Sequence, residues 1–142
     1  MRRGDVVKGR GAFYDTSVLT AFLFGEEDRF EIFREVLEKH VTRAISIISI
    51  HEIHACCLKF GVEERFAGLK EILHKLFKIV LLDQGACIEA SYMRKVHELP
   101  EIDSLMLATA VRGGYGHFYT FDRDFEKLNG NKLGATVIHY LG

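Results

Sequence analysis

Short apolar runs, each bounded by polar or turn-forming residues, recur along the chain at intervals typical of strands. Ala12–Asp15 is one such run, and Arg43–Ile48 is rich in β-branched residues and apolar on both faces. A strand that is apolar on both faces is typical of a parallel sheet covered by helices on both sides. The same pattern predicts three later strands, at Lys78–Leu82, His117–Phe121 and Ala135–Tyr140.

Between these strands, apolar residues recur at helical spacing. In the segment Glu27–His40, Phe30, Phe33 and Val36 share one side while charged residues occupy the other, which indicates an amphipathic helix. Further helices are predicted at Ser17–Phe24, Ile50–Phe60, Val62–Phe77, Gln84–Leu99 and Glu101–Arg112, with a short helical turn at Arg123–Leu128. Because strands and helices alternate, we predict an α/β fold: a three-layer α/β/α sandwich around a mostly parallel five-stranded sheet.

Composition and charge restrict the class of protein. The 142 residues fit one domain, and a chain that is 48% apolar with a single proline is not typical of a disordered linker. The net charge of −1 excludes an overall basic nucleic-acid coat. Residues 1–11 carry a net charge of +3, however, and the rest carry −4. We therefore predict a basic, flexible N-terminal arm over residues 1–11 and one globular domain over residues 12–142.

The cysteines and the apolar segments indicate the compartment. Cys56, Cys57 and Cys87 show no spacing typical of a disulfide framework, so we expect reduced, mostly buried thiols. The apolar run Ala12–Phe24 is interrupted by polar residues, unlike a signal peptide, and no stretch approaches the roughly 18–20 apolar residues of a membrane span. We expect a soluble, cytoplasmic protein without a membrane partner.

Four acidic residues are predicted to meet at one edge of the sheet. Asp15 and Asp122 end two strands, Glu52 follows another within one turn, and Asp103 begins the apolar helix Glu101–Arg112. Ligands of open parallel sheets bind beyond the carboxyl ends of the strands, which is where these residues fall.

Each of these acids also has a purely structural interpretation. Asp15 and Asp122 precede helices and are suitable N-caps, and Ser49 with Glu52 matches a capping box. Asp103 lies in a first helical turn, where the helix dipole favours an acid. Caps need not share one cleft, however, and clustered carboxylates repel one another unless cations or protons neutralise them. A site of oxygen ligands alone suits Mg²⁺ or Mn²⁺.

Other chemistries match the sequence less well. His51, His54 and Cys57 are a candidate zinc set, but the histidines are three residues apart rather than the four of a metalloprotease helix. Asp15 lacks the second aspartate of an Asp-x-Asp phosphatase motif, because Ser17 occupies that position. Asp83 lacks the acidic pair that accompanies a receiver-type phosphoacceptor.

Four segments together, in this order and spacing, resemble the motifs of PIN domains, and in particular the VapC-type toxin ribonucleases and their stand-alone relatives. The segments are Asp15–Leu19, Ser49–Ile53, Ile102–Ala110 and Tyr119–Phe125. The resemblance extends from about Phe13 to Tyr140. It implies a PIN-like sheet of order 3-2-1-4-5 and a metal-dependent nuclease domain over residues 12–142.

The resemblance also assigns roles to residues. It implies that Asp15, Glu52, Asp103 and Asp122 are the catalytic, metal-binding acids, with Asp124 as an additional candidate. Small hydroxyl residues would support them, namely Thr16, Ser17 and Thr120. The implied reaction is hydrolysis of RNA by a metal-activated water, which leaves 5′-phosphate and 3′-hydroxyl ends.

Two kinds of basic residue are candidates for RNA contacts. Arg123 follows Asp122 directly, and its alternative is an ordinary surface arginine. Arg10 and the rest of the arm would add salt-sensitive affinity for the RNA backbone, with a disordered terminus as the alternative.

The resemblance further implies a homodimer and an antitoxin protein that lies in a groove near the acidic cleft. The helices Glu27–His40 and Val62–Phe77 are candidates for that groove, although their apolar faces also suit the core. Two alternatives stay open: a non-catalytic PIN-like domain that binds RNA or protein, and a housekeeping RNA-processing nuclease without an antitoxin.

Overall fold

A computed structural model describes residues 11–25 and 27–142 as six strands, six α-helices and two short 3₁₀ turns. The strands are β1 (Ala12–Tyr14), β2 (Arg43–Ser46), β3 (Lys78–Val80), β4 (His117–Thr120), β5 (Lys132–Leu133) and β6 (Thr136–Tyr140). The helices are α1 (Thr16–Leu23), α2 (Glu27–Glu38), α3 (Ile47–Lys59), α4 (Phe66–Leu76), α5 (Gln84–His97) and α6 (Glu101–Arg112). The 3₁₀ turns are Glu63–Arg65 and Arg123–Leu128.

The strands form one sheet of order β3-β2-β1-β4-β6-β5. All neighbouring pairs are parallel except β5 with β6. The predicted order of five strands is confirmed, with β6 as the fifth. The additional strand β5 lies in the segment 129–134, which the sequence pattern predicts as a loop. Two residues are too few for a periodic pattern, and β5 turns back onto β6 through Gly134, whose φ is +59°.

Side chains from the two faces of the sheet enter two separate cores. Tyr14 packs with residues of α1 to α4, whereas Phe13, its neighbour in β1, packs with residues of α5 and α6. Both rings are fully buried. Successive residues of a strand point to opposite faces, so this division places helices on both sides of the sheet. The three-layer α/β/α sandwich is therefore confirmed.

More than half of the residues of helix α6 are buried. Met106, Leu107, Ala108 and Ala110 have no solvent exposure. This confirms the prediction that the apolar helix is central. Its first turn carries Asp103, so the packing of α6 against the sheet fixes the position of that carboxylate.

The start of α3 corrects the sequence prediction. β2 ends at Ser46, whose hydroxyl oxygen accepts a hydrogen bond from the backbone N–H of Ile48 (3.0 Å) and thereby caps α3. Ser49 is inside the helix, so the predicted capping box of Ser49 and Glu52 is wrong. The β-branched residues after Ser46 are typical of a strand, but the serine cap begins the helix three residues earlier than predicted.

Smaller differences concern the remaining boundaries and the thiols. α1 begins at Thr16, α2 ends at Glu38, α5 ends at His97, and a 3₁₀ turn precedes α4. The three cysteines are free; Cys57 is buried, Cys56 is half-buried and Cys87 is exposed, so the thiols are less buried than predicted. Within the described part of the chain, no helix is long and apolar enough to cross a bilayer.

Candidate metal centre

Three different elements bring aspartates to the carboxyl edge of the sheet. Asp15 follows β1 and caps α1, since its Oδ1 accepts a hydrogen bond from the backbone N–H of Thr16 (2.9 Å). Asp122 follows β4 and caps the turn Arg123–Leu128, since its Oδ1 accepts from the N–H of Asp124 (2.9 Å). Asp103 lies in the first turn of α6. The predicted capping roles of Asp15 and Asp122 are therefore present.

The two caps nevertheless lie close to each other and to Asp103. Carboxylate oxygens of Asp15, Asp103 and Asp122 all lie within 4.8 Å of one another. Asp15 and Asp103 are buried, at 4% and 8% exposure, and Asp122 is partly exposed. A group of three oxygen ligands at this separation, open on one side, fits a divalent cation. No histidine or cysteine belongs to the group, so the ligand chemistry suits Mg²⁺ or Mn²⁺.

Glu52 is the predicted acid that this group does not include. It lies on α3, six residues beyond the cap Ser46 rather than three beyond a cap at Ser49. Its carboxylate is not among the oxygens that lie within 4.8 Å of one another. Its charge still contributes to a raised pKa of Asp15, so Glu52 borders the site.

Two hydroxyl groups hold the carboxylate of Asp15. Its Oδ2 accepts hydrogen bonds from Oγ of Ser17 (2.9 Å) and Oγ1 of Thr120 (2.7 Å). The same hydroxyl oxygens accept from the backbone, Ser17 from the N–H of Phe121 and Thr120 from the N–H of Asp122, each at 2.9 Å. This network joins α1 to the segment after β4, and it fixes Asp15 relative to Asp122.

Thr16, the third predicted supporting residue, makes a different contact. Its hydroxyl forms a buried hydrogen bond of 2.7 Å with the hydroxyl of Ser49. Thr16 therefore connects α1 to α3. Its hydroxyl bonds to Ser49, whereas those of Ser17 and Thr120 bond to the carboxylate of Asp15.

Burial and mutual repulsion raise the pKa of two of the aspartates. The pKa of Asp15 rises to about 6, mainly because the group is buried, and the hydrogen bonds from Thr120 and Ser17 limit the increase. The pKa of Asp103 rises to about 8, again mainly through burial, followed by repulsion from Asp15 and Asp122. Without a cation, Asp103 therefore retains a proton near neutral pH. A divalent cation would displace that proton, because a nearby positive charge favours the ionised carboxylate.

The match to a family covers most of these elements. The sequence model of a protein family, the PIN domain, matches residues 12–131, a range that contains β1, α6, β4 and all three aspartates. The chain belongs to the PIN domain family.

Solved structures similar to this PIN domain include toxin–antitoxin complexes and a toxin. VapBC2 from Rickettsia felis, bound to a promoter DNA fragment, is 16% identical with a TM-score of 0.71, covering 92% of this chain and 98% of the other. A toxin–antitoxin complex from Klebsiella pneumoniae is 23% identical with a TM-score of 0.67, covering 89% and 96%.

A third similar structure is VapC20 from Mycobacterium tuberculosis, described as a sarcin-ricin loop cleaving toxin. It is 16% identical with a TM-score of 0.69, covering 82% of this chain and 94% of the other. No curated protein gives a significant match. At these identities, the similar structures show that this PIN domain has the fold of the VapC toxins.

The remaining predicted residues lie at the margin of the cluster or apart from it. Asp124 is exposed and raises the pKa of Asp103, but its carboxylate is not in the group of three. Arg123 is exposed beside Asp122. Arg10 and the other basic residues of the predicted arm lie outside the described residues.

The candidate zinc set is not assembled. His51 and His54 are exposed and Cys57 is buried in the core. Among residues 11–25 and 27–142, the only group of three or more His, Cys, Asp or Glu ligand atoms this close together is the aspartate cluster.

A second polar cluster was not predicted from the sequence. On the sheet face covered by α2, the Nε2 of His40 lies 2.7 Å from the hydroxyl of Tyr119, and the Nδ1 of His117 lies 2.9 Å from the Nε2 of His139. Burial lowers the pKa of all three histidines, that of His40 to about 4. The sequence does show that His117 and Tyr119 alternate in β4 and so share one face of the sheet. Their proximity to His139, however, depends on the pairing of β4 with β6, which the alternation alone does not reveal.

Proposed function

We propose that this PIN domain is a divalent-cation-dependent endoribonuclease that hydrolyses phosphodiester bonds of RNA. The observation that carries the proposal is the group of three carboxylates, from Asp15, Asp103 and Asp122, gathered at the carboxyl edge of a parallel sheet. The raised pKa of Asp15 and of Asp103 is the electrostatic consequence of that grouping. The description of the structurally similar VapC20 as a cleaving toxin supports nuclease activity.

In this proposal, Asp15, Asp103 and Asp122 hold Mg²⁺ or Mn²⁺, Glu52 lies beside them as a further catalytic acid, and Asp124 is an additional candidate ligand. A bound cation would supply neutralisation of phosphate charge and an activated water, and in-line attack by that water would leave 5′-phosphate and 3′-hydroxyl ends. Asp103 releases its proton when the site is loaded, because the positive charge favours the carboxylate. One of the carboxylates then accepts the proton of the attacking water.

Ser17 and Thr120 position the ligand Asp15 in this scheme. Each hydroxyl donates to Oδ2 of Asp15 and accepts from a backbone N–H after β4. The carboxylate of Asp15 and the segment after β4 are therefore held in fixed positions relative to each other. A ligand held in one geometry costs less ordering entropy when the cation binds. Thr16 supports the same site indirectly, through the attachment of α1 to α3 at Ser49.

We further propose that the protein is the toxin of a toxin–antitoxin pair, that it forms a homodimer, and that it acts in the cytoplasm. The support for the antitoxin partner is the set of structurally similar toxin–antitoxin complexes. The helices α2 and α4 are the candidate groove, with Phe30 and Ile72 each slightly more than one-third exposed on them. A housekeeping nuclease would have the same cluster and no antitoxin.

The second candidate function is a non-catalytic binding domain. The observation that favours it is that Asp15 and Asp122 both accept the hydrogen bonds of helix caps, which need no cation. In that case the aspartates stabilise local structure, and RNA or a protein binds without being cleaved.

Cleavage of a labelled single-stranded RNA in Mn²⁺ or Mg²⁺ separates the two functions. We expect the wild-type protein to cleave the RNA and to lose the activity in EDTA. Asp103→Asn and Asp122→Asn should each lower the rate at least about 100-fold, because each removes a ligand charge. Asp83→Asn is the matched control, since Asp83 caps α5 outside the cluster and asparagine is an equally good cap.

Two outcomes would contradict the ribonuclease proposal. One is a wild-type protein that binds RNA and leaves it intact in both cations. The other is an Asp103→Asn variant that cleaves as fast as Asp83→Asn while its folded state is less stable, which would identify Asp103 as a structural residue.

A further inference from the structure

We infer that a buried helix junction, formed by Ser49, Thr16 and Met106, positions the carboxylates of the metal centre and makes it favour Mg²⁺ over Ca²⁺. This inference rests on the proposed cation-dependent function. The hydroxyl oxygens of Thr16 and Ser49 lie 2.7 Å apart, and the Thr16 hydroxyl donates to Sδ of Met106 at 3.9 Å. All three residues are buried.

The polar atoms of the junction satisfy one another away from solvent. Because the Thr16 hydroxyl gives its single proton to the sulfur of Met106, the proton between the two hydroxyls comes from Ser49. Ser49 has no solvent exposure, so bulk water cannot replace Thr16 as the acceptor of that proton. A buried hydroxyl without a partner costs folding free energy. The contact therefore favours one arrangement of the helices that it joins.

The junction joins three helices, and each of them carries an acid of the site or is capped by one. Thr16 begins α1, Ser49 lies in α3 and Met106 lies in α6. Each junction residue is adjacent to an acid or three residues from it in the same helix, as in the pairs Asp15 with Thr16, Glu52 with Ser49, and Asp103 with Met106. Residues three apart on a helix share one side, with Cβ atoms roughly 5–6 Å apart. A shift of one helix at the junction would therefore displace its acid relative to the other two.

The junction is bonded to the carboxylate of Asp15 through the backbone of α1. The N–H of Thr16 donates to Oδ1 of Asp15 (2.9 Å), and the hydroxyls of Ser17 and Thr120 donate to Oδ2. Both oxygens of Asp15 therefore have partners within the protein. The separation between Asp15 and Asp103 then depends on how α1 and α6 meet, which is the contact that the junction makes.

Fixed carboxylates affect Mg²⁺ and Ca²⁺ differently. Mg²⁺ requires nearly octahedral geometry with oxygens at about 2.0–2.1 Å, whereas Ca²⁺ accepts about six to eight oxygens in flexible geometry at about 2.3–2.6 Å. Carboxylates that already keep one arrangement lose less conformational freedom when the cation binds. Because Mg²⁺ depends more strictly on that arrangement, loosening the junction should weaken the binding of Mg²⁺ more than the binding of Ca²⁺.

The test compares cation binding by Thr16→Val, Ser49→Ala and a double variant with both substitutions. Mn²⁺ is the probe: electron paramagnetic resonance measures free Mn²⁺, and Mg²⁺ and Ca²⁺ are titrated as competitors. Valine keeps the shape of threonine but leaves the Ser49 hydroxyl without its acceptor, whereas the double variant removes both hydroxyls and should stay close to wild-type stability. Melting temperatures in EDTA show whether each variant is folded.

Two further variants are the controls. Thr16→Ser retains the hydroxyl and should restore wild-type binding. Thr109→Val removes the hydroxyl of another buried threonine, which donates to the carbonyl oxygen of Leu105 in the same helix, α6 (2.8 Å). Because this hydrogen bond lies within one helix, its loss should leave the positions of the acids unchanged.

We expect the double variant to raise the dissociation constant of Mg²⁺ about 10-fold, which is typical of losing a group that orients metal ligands. The dissociation constant of Ca²⁺ should change by less than about 2-fold, because flexible coordination tolerates displaced carboxylates. The preference for Mg²⁺ over Ca²⁺ should therefore fall. Thr16→Ser and Thr109→Val should match the wild-type protein for both cations.

The inference fails if the folded double variant keeps the wild-type preference for Mg²⁺ over Ca²⁺. It also fails if Thr109→Val changes the preference as much, which would identify a general effect of core packing. In both cases, cleavage of RNA by the wild-type protein in Mg²⁺ would leave the ribonuclease proposal intact.

The opposite combination separates the two proposals as well. If the wild-type protein binds Mg²⁺ without cleaving RNA, the ribonuclease proposal fails, whereas a loss of the Mg²⁺ preference in the double variant would still support the junction. A wild-type protein that binds neither cation would overturn both.

Discussion

At the scale of single residues, Asp15 is where the contacts of the site converge. It caps α1 with one carboxylate oxygen and accepts hydrogen bonds from Ser17 and Thr120 with the other. The sequence pattern predicts Asp15 because it follows a strand directly, and the resemblance to PIN domains adds the hydroxyl partners Ser17 and Thr120. The predicted capping box of Ser49 and Glu52 is wrong because α3 begins three residues earlier, after Ser46. The hydrogen bond between Thr16 and Ser49 joins two helices and has no signal in the sequence.

The raised pKa of Asp103 predicts a pH dependence of stability in the cation-free protein. The folded protein retains a proton on Asp103 up to about pH 8, whereas the unfolded chain releases it near pH 4. The folded state therefore binds more protons across this range, and its free energy of unfolding falls as the pH rises. Protonation of His40, His117 and His139 in the unfolded chain acts in the opposite direction and is still substantial at about pH 7, so the aspartate effect is isolated by comparing the wild-type protein with Asp103→Asn at each pH.

Urea unfolding of the wild-type protein and of Asp103→Asn in EDTA between about pH 6.5 and about pH 8 measures the effect. We expect the wild-type free energy of unfolding, relative to that of Asp103→Asn, to fall by up to about 1.4 kcal/mol per pH unit as the pH rises. Saturating Mn²⁺ should abolish this difference in slope, since the cation keeps Asp103 ionised in the folded state. Equal pH slopes of the two proteins in EDTA would contradict a raised pKa of Asp103.

At the scale of elements, short strands and the helix starts between them determine the geometry of the site. The strands are predictable as short, largely apolar runs bounded by polar or turn-forming residues. β1, β2 and β4 are buried on both faces, as strands of a parallel sheet covered on both sides are. The start of α3 is less predictable because Ile47 and Ile48 have strand propensity, yet Ser46 caps a helix over them. The hydrogen bond to the Ser46 side chain favours the helix over a longer strand, and the periodicity of apolar residues contains no information about it.

Ser46→Ala tests this cap. Ser46 is fully buried and its hydroxyl accepts the N–H of Ile48, so the substitution should lower the free energy of unfolding by about 1 kcal/mol. Ser91→Ala is the control, because Ser91 is exposed inside α5 and alanine is a better helix former. Urea unfolding of both variants checks the difference. Equal stabilities of the two variants would show that the α3 start does not depend on Ser46.

At the scale of the whole molecule, most of the fold is predictable from the sequence. The net charge has to be reconsidered once the position of the aspartate cluster is known. The alternation of strands and helices predicts a mostly parallel sheet, and the order of the five longer strands is the one that the resemblance to PIN domains implies. β5 escapes prediction because two residues leave no pattern. The net charge of −4 on residues 12–142 includes the aspartates of the cleft. A divalent cation there would leave the domain nearer to neutrality, and RNA would then meet less repulsion than the sequence charge implies.

The central claim is that Asp15, Asp103 and Asp122 together hold a divalent cation. The most direct measurement is a crystal structure from crystals soaked in millimolar Mn²⁺, with the anomalous signal used to locate the ion. We expect an anomalous peak at oxygen-ligand distance, roughly 2 Å, from carboxylates of all three aspartates, and no such peak at this position in crystals of Asp103→Asn. A structure of the wild-type protein with no anomalous peak among the three carboxylates would contradict the claim.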